Sequence, residues 1–137
     1  MADDIQRLNA WTALFERKGG SHGNIRIWSA WDESARASVR SLVPLRAGEL
    51  PVILALPIGS DPKLLTTRRV CRDRHCLDVN SIANVSPVDL GARSKLDLKT
   101  LRIAAADGTE LDLDLEPGRA FVAFWSVLLN AMRGATN

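Results

Sequence analysis

The segment LLTTRRVCRDRHC, residues 64–76, concentrates four arginines, a histidine and two cysteines in a short stretch of chain. Clustered basic side chains can bind phosphate and other anions, which makes this segment a candidate anion-binding site. The residues that would form it are Lys63, Arg68, Arg69, Arg72 and Arg74. Successive side chains of a β-strand point to opposite faces, so these charges cannot all face one ligand. The sequence therefore favours a hairpin with a solvated, arginine-rich face, and anion binding is the alternative.

Cys71, Cys76, His75 and His22 are the residues that could bind zinc. A structural zinc site needs four ligands, usually arranged as two closely spaced pairs, and this chain offers one loose pair. We therefore predict no metal site and no cofactor. We expect the two cysteines to be reduced thiols facing each other in a hairpin, as is usual in a cytosolic protein, close enough to oxidise if they are exposed.

Three carboxylates, Asp112, Asp114 and Glu116, recur at every second position and so share one face of a strand. Such a row could bind a metal, but an outward acidic face of an antiparallel sheet is the ordinary interpretation. His22 lies in the glycine-flanked loop GSHGN, which is typical of a solvated position. The chain has no phosphate-binding glycine loop, dinucleotide fingerprint or nucleophile elbow. We therefore predict that the protein is not an enzyme and has no catalytic residues.

Composition places the chain among single-domain proteins. It has 137 residues, of which 46% are apolar and 25% charged, and its net charge is only +2. Nucleic-acid binders usually carry a larger basic excess, so no nucleic-acid partner is expected. The start of the chain does not resemble a secretory signal, and no apolar run approaches the roughly 20 residues that cross a bilayer. A cytoplasmic protein is the expectation.

Hydrophobic periodicity predicts helices in the first third of the chain and at its end, with strands between them. The predicted helices span 3–18, 31–43 and 117–134. The predicted strands span 24–28, 51–57, 63–72, 75–80, 83–90, 96–105 and 109–116. Strands so closely spaced must pair as an antiparallel meander, because parallel neighbours need long crossovers. The last helix carries its apolar residues on one ridge, at positions 121, 124, 125, 128, 129 and 132.

The final hairpin has a predictable register. A two-residue turn would pair Ile103 with Asp112 and place charge on the apolar face. A three-residue loop at 106–108 instead pairs Ile103 with Leu111, and it places Gly108 in the left-handed position that such loops need.

The arginine-rich hairpin is predicted in the same way. A turn at 72–75 places Cys71 opposite Cys76. It also places Arg69 opposite Asp78, which predicts an ion pair between those two residues.

A run of short strands followed by one amphipathic C-terminal helix resembles the pleckstrin-homology-like fold. The segments that carry the resemblance, within residues 48–134, are PVILALP, LLTTRRV, LDVNSIANVSPVDL, the Asp-Gly hairpin and FVAFWSVLLNAM. The leucine-threonine-threonine-arginine strand is similar to that of the bacterial GRAM-like branch. The resemblance implies an α+β domain in which a bent antiparallel sheet forms a half-open barrel capped by the last helix. Residues 1–47 would be an added N-terminal helical region.

Small bacterial proteins of this kind also resemble immunity proteins of polymorphic toxin systems. That resemblance implies a non-enzymatic, cytoplasmic module that binds and neutralises a cognate toxin. Tryptophan near arginine is common at interfaces, and an acidic face suits a basic partner. The candidate contacts are therefore Trp28, Trp31, Asp112, Asp114 and Glu116.

The alternative function is binding of an anionic lipid or phosphate at the inner membrane surface. Pleckstrin-homology domains bind such ligands at the loop between their first two strands. Here that loop is IGSDPK, which has a single lysine beside an aspartate, so the lipid-binding signature is not met. A membrane partner is therefore not expected.

Overall fold

The computed structural model describes residues 4–57, 59–88 and 94–135. Within these ranges the chain forms helices and strands in the order predicted. The helices are α1 (Asp4–Arg17), α2 (Glu33–Leu42) and α3 (Arg119–Ala135). The strands are β1 (Ile25–Ile27), β2 (Pro51–Ala55), β3 (Lys63–Thr66), β4 (Arg69–Arg72), β5 (His75–Asp78), β6 (Ile82–Pro87), β7 (Thr100–Ala105) and β8 (Glu110–Asp114).

The strands form two antiparallel sheets, so the predicted α+β class and antiparallel meander are confirmed. The first sheet has the order β1-β2-β3-β4-β5, and the second has the order β6-β7-β8. The hydrogen-bonded ladders are thus divided between two sheets instead of running through one. The N-terminal region is not only helical, because it contributes β1 to the first sheet. Its helix α1 packs on α3 and β2, which makes it part of the same core.

The prediction of a single strand over 63–72 is wrong, because the chain turns at residues 67 and 68. The cause is the hydroxyl of Thr66, which accepts the backbone N–H groups of Arg68 at 3.1 Å and Arg69 at 2.8 Å. A threonine hydroxyl that replaces backbone partners in this way favours a tight turn over a continuous strand. The sequence has no glycine or proline there to indicate the turn.

The other predicted element boundaries are closer to those observed in the structure. Asp32 caps α2, since its carboxylate accepts the N–H of Ala35 at 2.8 Å. Strand β7 starts at Thr100, because the preceding residues Lys95–Asp97 form a 3-10 turn. Helix α3 starts at Arg119 instead of residue 117. Residues 89 and 90 of the predicted strand 83–90 lie outside the described residues.

Both hairpin registers are confirmed. Ile103 pairs with Leu111 across β7 and β8. Gly108 has a φ of +92°, which is the left-handed conformation that the three-residue loop requires. Cys71 pairs with Cys76 across β4 and β5.

Two hydrophobic clusters lie on opposite faces of the first sheet. The main cluster lies between the two sheets and α3, whose buried ridge includes Phe121, Phe124 and Leu128. The second, smaller cluster lies under α2. It comprises Val39, Val43, Leu54, Leu64 and Cys71. Trp125, Leu129 and Met132 of the predicted ridge are only partly buried at the edge of the main cluster. No helix in the described ranges is long and apolar enough to cross a membrane.

Candidate functional site

Arg69, one of the five candidate anion-binding residues, is held by a buried carboxylate. Its guanidinium group donates to both carboxylate oxygens of Glu49, at 2.8 and 2.7 Å. Glu49 also accepts the Thr66 hydroxyl at 2.5 Å and the backbone N–H of Arg46 at 2.9 Å. Burial alone would raise the pKa of Glu49, but these donors outweigh it and lower the pKa to about 2. Arg69 is therefore already neutralised inside the protein.

Arg68 is paired in the same way with the first turn of α1. Its Nε and Nη2 atoms donate to the two oxygens of Asp4, at 3.1 and 2.9 Å. The Thr67 hydroxyl donates to the same carboxylate at 2.6 Å. The Arg68 and Thr67 hydrogen bonds lower the pKa of Asp4 to about 2. These bonds tie the start of α1 to the turn between β3 and β4.

The predicted ion pair between Arg69 and Asp78 does not form, although the two residues are cross-strand neighbours. Arg69 turns to the buried Glu49, where its planar group makes two charge-assisted hydrogen bonds. Asp78 is instead 3.4 Å from the Nη1 atom of Arg46. The correct partner of Arg69 lies in the loop before β2, which strand pairing alone does not reveal.

Lys63 and Arg72 lie on the opposite face of the first sheet from Arg69. Lys63 has no exposed surface, and its Nζ donates to the Ser60 hydroxyl at 2.6 Å. Burial lowers the pKa of its ammonium group. Arg72 donates to the carbonyl oxygen of Asp112 at 2.9 Å. Among the five candidate anion-binding residues, Arg74 alone has an exposed side chain with no recorded partner, so the five do not form one surface.

Cys71 and Cys76 are joined by a disulfide, so the expectation of two reduced thiols is wrong. Cross-strand pairing brings the sulfurs together, and Cys71 is fully buried in the second cluster. Disulfides are typical of oxidising compartments, and those of cytosolic proteins are usually transient or redox-sensing. His22 and His75 are both exposed. In the part of the chain that the structure describes, no three His, Cys, Asp or Glu residues lie together so as to hold a metal ion.

The acidic strip of Asp112, Asp114 and Glu116 is largely engaged by neighbouring side chains. Arg102 donates to both oxygens of Asp112, at 2.9 and 3.1 Å, and lowers the pKa of that carboxyl. Asp114 accepts the Thr100 hydroxyl at 3.0 Å and remains exposed. Glu116 accepts the side-chain amide of Asn24 at 2.9 Å. The charge of Asp112 is therefore offset by Arg102, whereas Asp114 and Glu116 are hydrogen-bonded to neutral groups and both line a cleft of about 420 Å³.

The tryptophans Trp28 and Trp31 lie together before α2, and both are half-buried against the second cluster. The indole N–H of Trp31 donates to the carbonyl oxygen of Leu54 at 2.9 Å, which fixes its orientation. The guanidinium carbon of Arg26 lies 4.6 Å from the ring centre of Trp31, and that of Arg40 lies 5.9 Å from the ring of Trp28. These distances are within the range of cation–π attraction. The result is a preordered aromatic surface with basic side chains over it.

Trp28 also borders a cleft of about 380 Å³ between α1 and β2. Most of its lining is apolar, and Glu16 supplies the one carboxylate recorded there. The tryptophans are evident from the sequence, but this cleft is not, because its opposite wall is α1.

A basic cleft between the end of α1 and the start of α3 is likewise not evident from the sequence. It is lined by Arg17, Lys18 and Arg119, among other residues. The basic residues near the two helix ends were visible in the sequence, but their proximity depends on the packing of α1 on α3.

Comparison of the chain with protein-family models, with curated proteins and with solved structures found no match.

Proposed function

We propose that this chain is a protein-binding module, most concretely an immunity protein that binds and neutralises a cognate bacterial toxin in the cytoplasm. We also propose that β2–β5, β6–β8 and α3 form a pleckstrin-homology-like half-open barrel. The succession of four strands, three strands and a closing helix supports this assignment. In this proposal α1, β1 and α2 are additions that enlarge the first sheet and cover its outer face.

The surface formed by Trp28, Trp31, Arg26 and Arg40 is the observation that carries the proposal. Tryptophan and arginine are among the residue types that contribute most to protein–protein binding energy, and here both tryptophans are partly exposed. Here the rings are held in place before a partner arrives, so little side-chain entropy is lost on binding. The neighbouring apolar cleft can receive a side chain of the partner.

Asp114 provides a second, weaker contact for a basic partner, because it is the exposed carboxylate of the acidic strip. Asp112 contributes less, since Arg102 already neutralises it. The alternative, an anionic lipid or phosphate held by residues 63–74, has less support. Arg68 and Arg69 would have to leave carboxylate partners before they could bind such a ligand.

The proposal predicts that a toxin gene lies beside the gene for this chain, and the test is protection of bacteria from that toxin. Cells that carry the toxin gene are expected to grow only when the wild-type chain is co-expressed, and the two proteins should co-purify. Trp28→Ala combined with Arg40→Ala should abolish protection while leaving the circular dichroism spectrum unchanged. Ile5→Ala is the matched control, because Ile5 is an exposed apolar residue, 64% accessible, outside the aromatic surface. Equal protection by the double variant and the control would refute the assignment of the surface.

A further inference from the structure

The cleft between α1 and α3 brings together residues about one hundred positions apart in sequence. Arg17, Lys18 and Gly19, at the end of α1, form one wall, and Arg119 and Val122, in the first turn of α3, form the other. Gly19 has a φ of +92°, and a Cβ atom placed on it would lie 3.5 Å from the Cβ of Arg119. The two walls are therefore in close contact at their base. The cleft encloses about 460 Å³.

Unlike most others, the basic side chains of this cleft have no hydrogen-bonding or ionic partner among the described residues. Most basic side chains elsewhere in the described residues donate to carboxylates, hydroxyls or carbonyls, or lie over tryptophan rings. Arg17, Lys18 and Arg119 make none of these contacts within the described residues, and Arg74 is the other described arginine without one. No carboxylate is recorded in the lining of the cleft. Single surface cations are usually solvated, but three unpaired cations lining one concavity create a concentrated positive potential.

Leu96 gives the cleft an apolar side. It is 51% exposed, and Ile5 is the other large apolar residue recorded as exposed in the described ranges. Val122 is partly buried and lies in the same lining. An exposed leucine beside unpaired cations matches a ligand that has both an anionic group and an apolar body.

We propose that this cleft is a binding site for a phosphate group that is attached to an apolar body. Arg17 and Arg119 each present a planar fork that matches two phosphate oxygens, and Lys18 adds a point charge. Leu96 and Val122 contact the apolar body. The phosphate can belong to a free phosphate ester or to a lipid headgroup, since both present the same group. This site is separate from the aromatic surface, so its failure would leave the proposed function standing.

The test is a titration of the whole 137-residue chain, monitored through amide chemical shifts in NMR spectra. Hexyl phosphate and inorganic phosphate are the soluble probes, and phosphatidylcholine vesicles with and without phosphatidic acid are the membrane probes. We expect saturable shifts at Gly19 and Val122, with tighter binding of hexyl phosphate than of inorganic phosphate. Binding to the phosphatidic acid vesicles would identify a lipid source, and binding to the soluble probes alone would identify a free ester.

Substitutions distinguish specific binding in the cleft from non-specific electrostatic attraction. Each exposed cation removed should weaken hexyl phosphate binding about two- to fivefold, so Arg17→Gln with Arg119→Gln should weaken it about four- to twenty-fivefold. Leu96→Ala should remove the preference for hexyl phosphate over inorganic phosphate. Arg74→Gln is the matched control, because Arg74 is equally exposed and unpaired but lies outside the cleft. Equal weakening by Arg74→Gln, or shifts that do not saturate for any probe, would overturn the proposal.

Discussion

Glu49 is a buried carboxylate whose charge is expected to contribute substantially to stability. The substitution Glu49→Gln keeps the shape of the side chain but removes its charge, and Arg69, 12% exposed, is left without its anionic partner. In the folded protein the pKa of Glu49 falls from the usual 4.5 to about 2. Each pKa unit corresponds to about 1.4 kcal/mol, so the charged carboxylate contributes about 3 kcal/mol to the free energy of unfolding.

The assay is urea denaturation of both proteins across a range of pH. At neutral pH the unfolding free energy of Glu49→Gln should lie about 3 kcal/mol below that of the wild type, within the range seen when a buried ion pair loses one partner. The folded-state pKa is lower than the unfolded one, so the contribution of Glu49 is complete above pH 4.5. It is lost as the pH falls from 4.5 towards 2, and the two stability curves should converge over that interval.

Glu33→Gln is the matched control for this experiment. Glu33 also pairs with arginines, but its side chain is 66% exposed. Surface ion pairs contribute at most about 1 kcal/mol, so this variant should differ little from the wild type. The reasoning about Glu49 is refuted if Glu49→Gln costs no more than Glu33→Gln, or if its deficit is the same at low and neutral pH.

Three further perturbations test other parts of the structure. Reduction of the Cys71–Cys76 disulfide should lower the unfolding free energy by about 2 kcal/mol in urea titrations while the chain stays folded, and no change on reduction would contradict the bond. Asp4→Asn should lower it by about 1 kcal/mol, because the carboxylate is partly solvated; this loss should vanish as the pH falls from 3.8 towards 2, and persistence at low pH would count against the pairing with Arg68. Lys63→Met should maintain or raise the unfolding free energy at neutral pH, because an apolar chain of similar size replaces a buried ammonium group. A decrease in that free energy of more than about 2 kcal/mol would show that the charge is needed. As the pH rises towards 10.5, the unfolding free energy of the wild type should increase relative to that of Lys63→Met. The reason is that the folded protein loses the Lys63 proton at a lower pH than the unfolded chain does.

The parts of the fold that could be predicted from sequence are those set by local periodicity. The apolar ridge of α3 and the register of the β7–β8 hairpin follow from which side chains must leave water. The turn at residues 67 and 68 could not be predicted in this way. It depends on the hydroxyl of Thr66 acting as a backbone acceptor, and threonine is otherwise a strong strand former.

The candidate site was harder to predict, because the partner of each charge is distant in sequence. Arg68 pairs with a carboxylate 64 residues away, and Arg69 pairs with one 20 residues away. Charge content therefore identified the arginines but could not show that they were neutralised. The cleft at Arg17 and Arg119 is the converse case, since only the packing of α1 on α3 gathers charges that are unremarkable in sequence.

The division of apolar side chains between the two faces of the first sheet has a consequence for local opening. Helix α2 covers a small cluster, whereas α3 is packed against the large one. Detachment of α2 would break few contacts and would leave the wall formed by β2, β3 and β4 supported from the other side. We therefore expect amide hydrogens of α2 to exchange with solvent well before those of β7 and α3, as a cooperative unit of lower stability. Binding of a partner over Trp28 and Trp31 would slow that exchange without altering the exchange of β7.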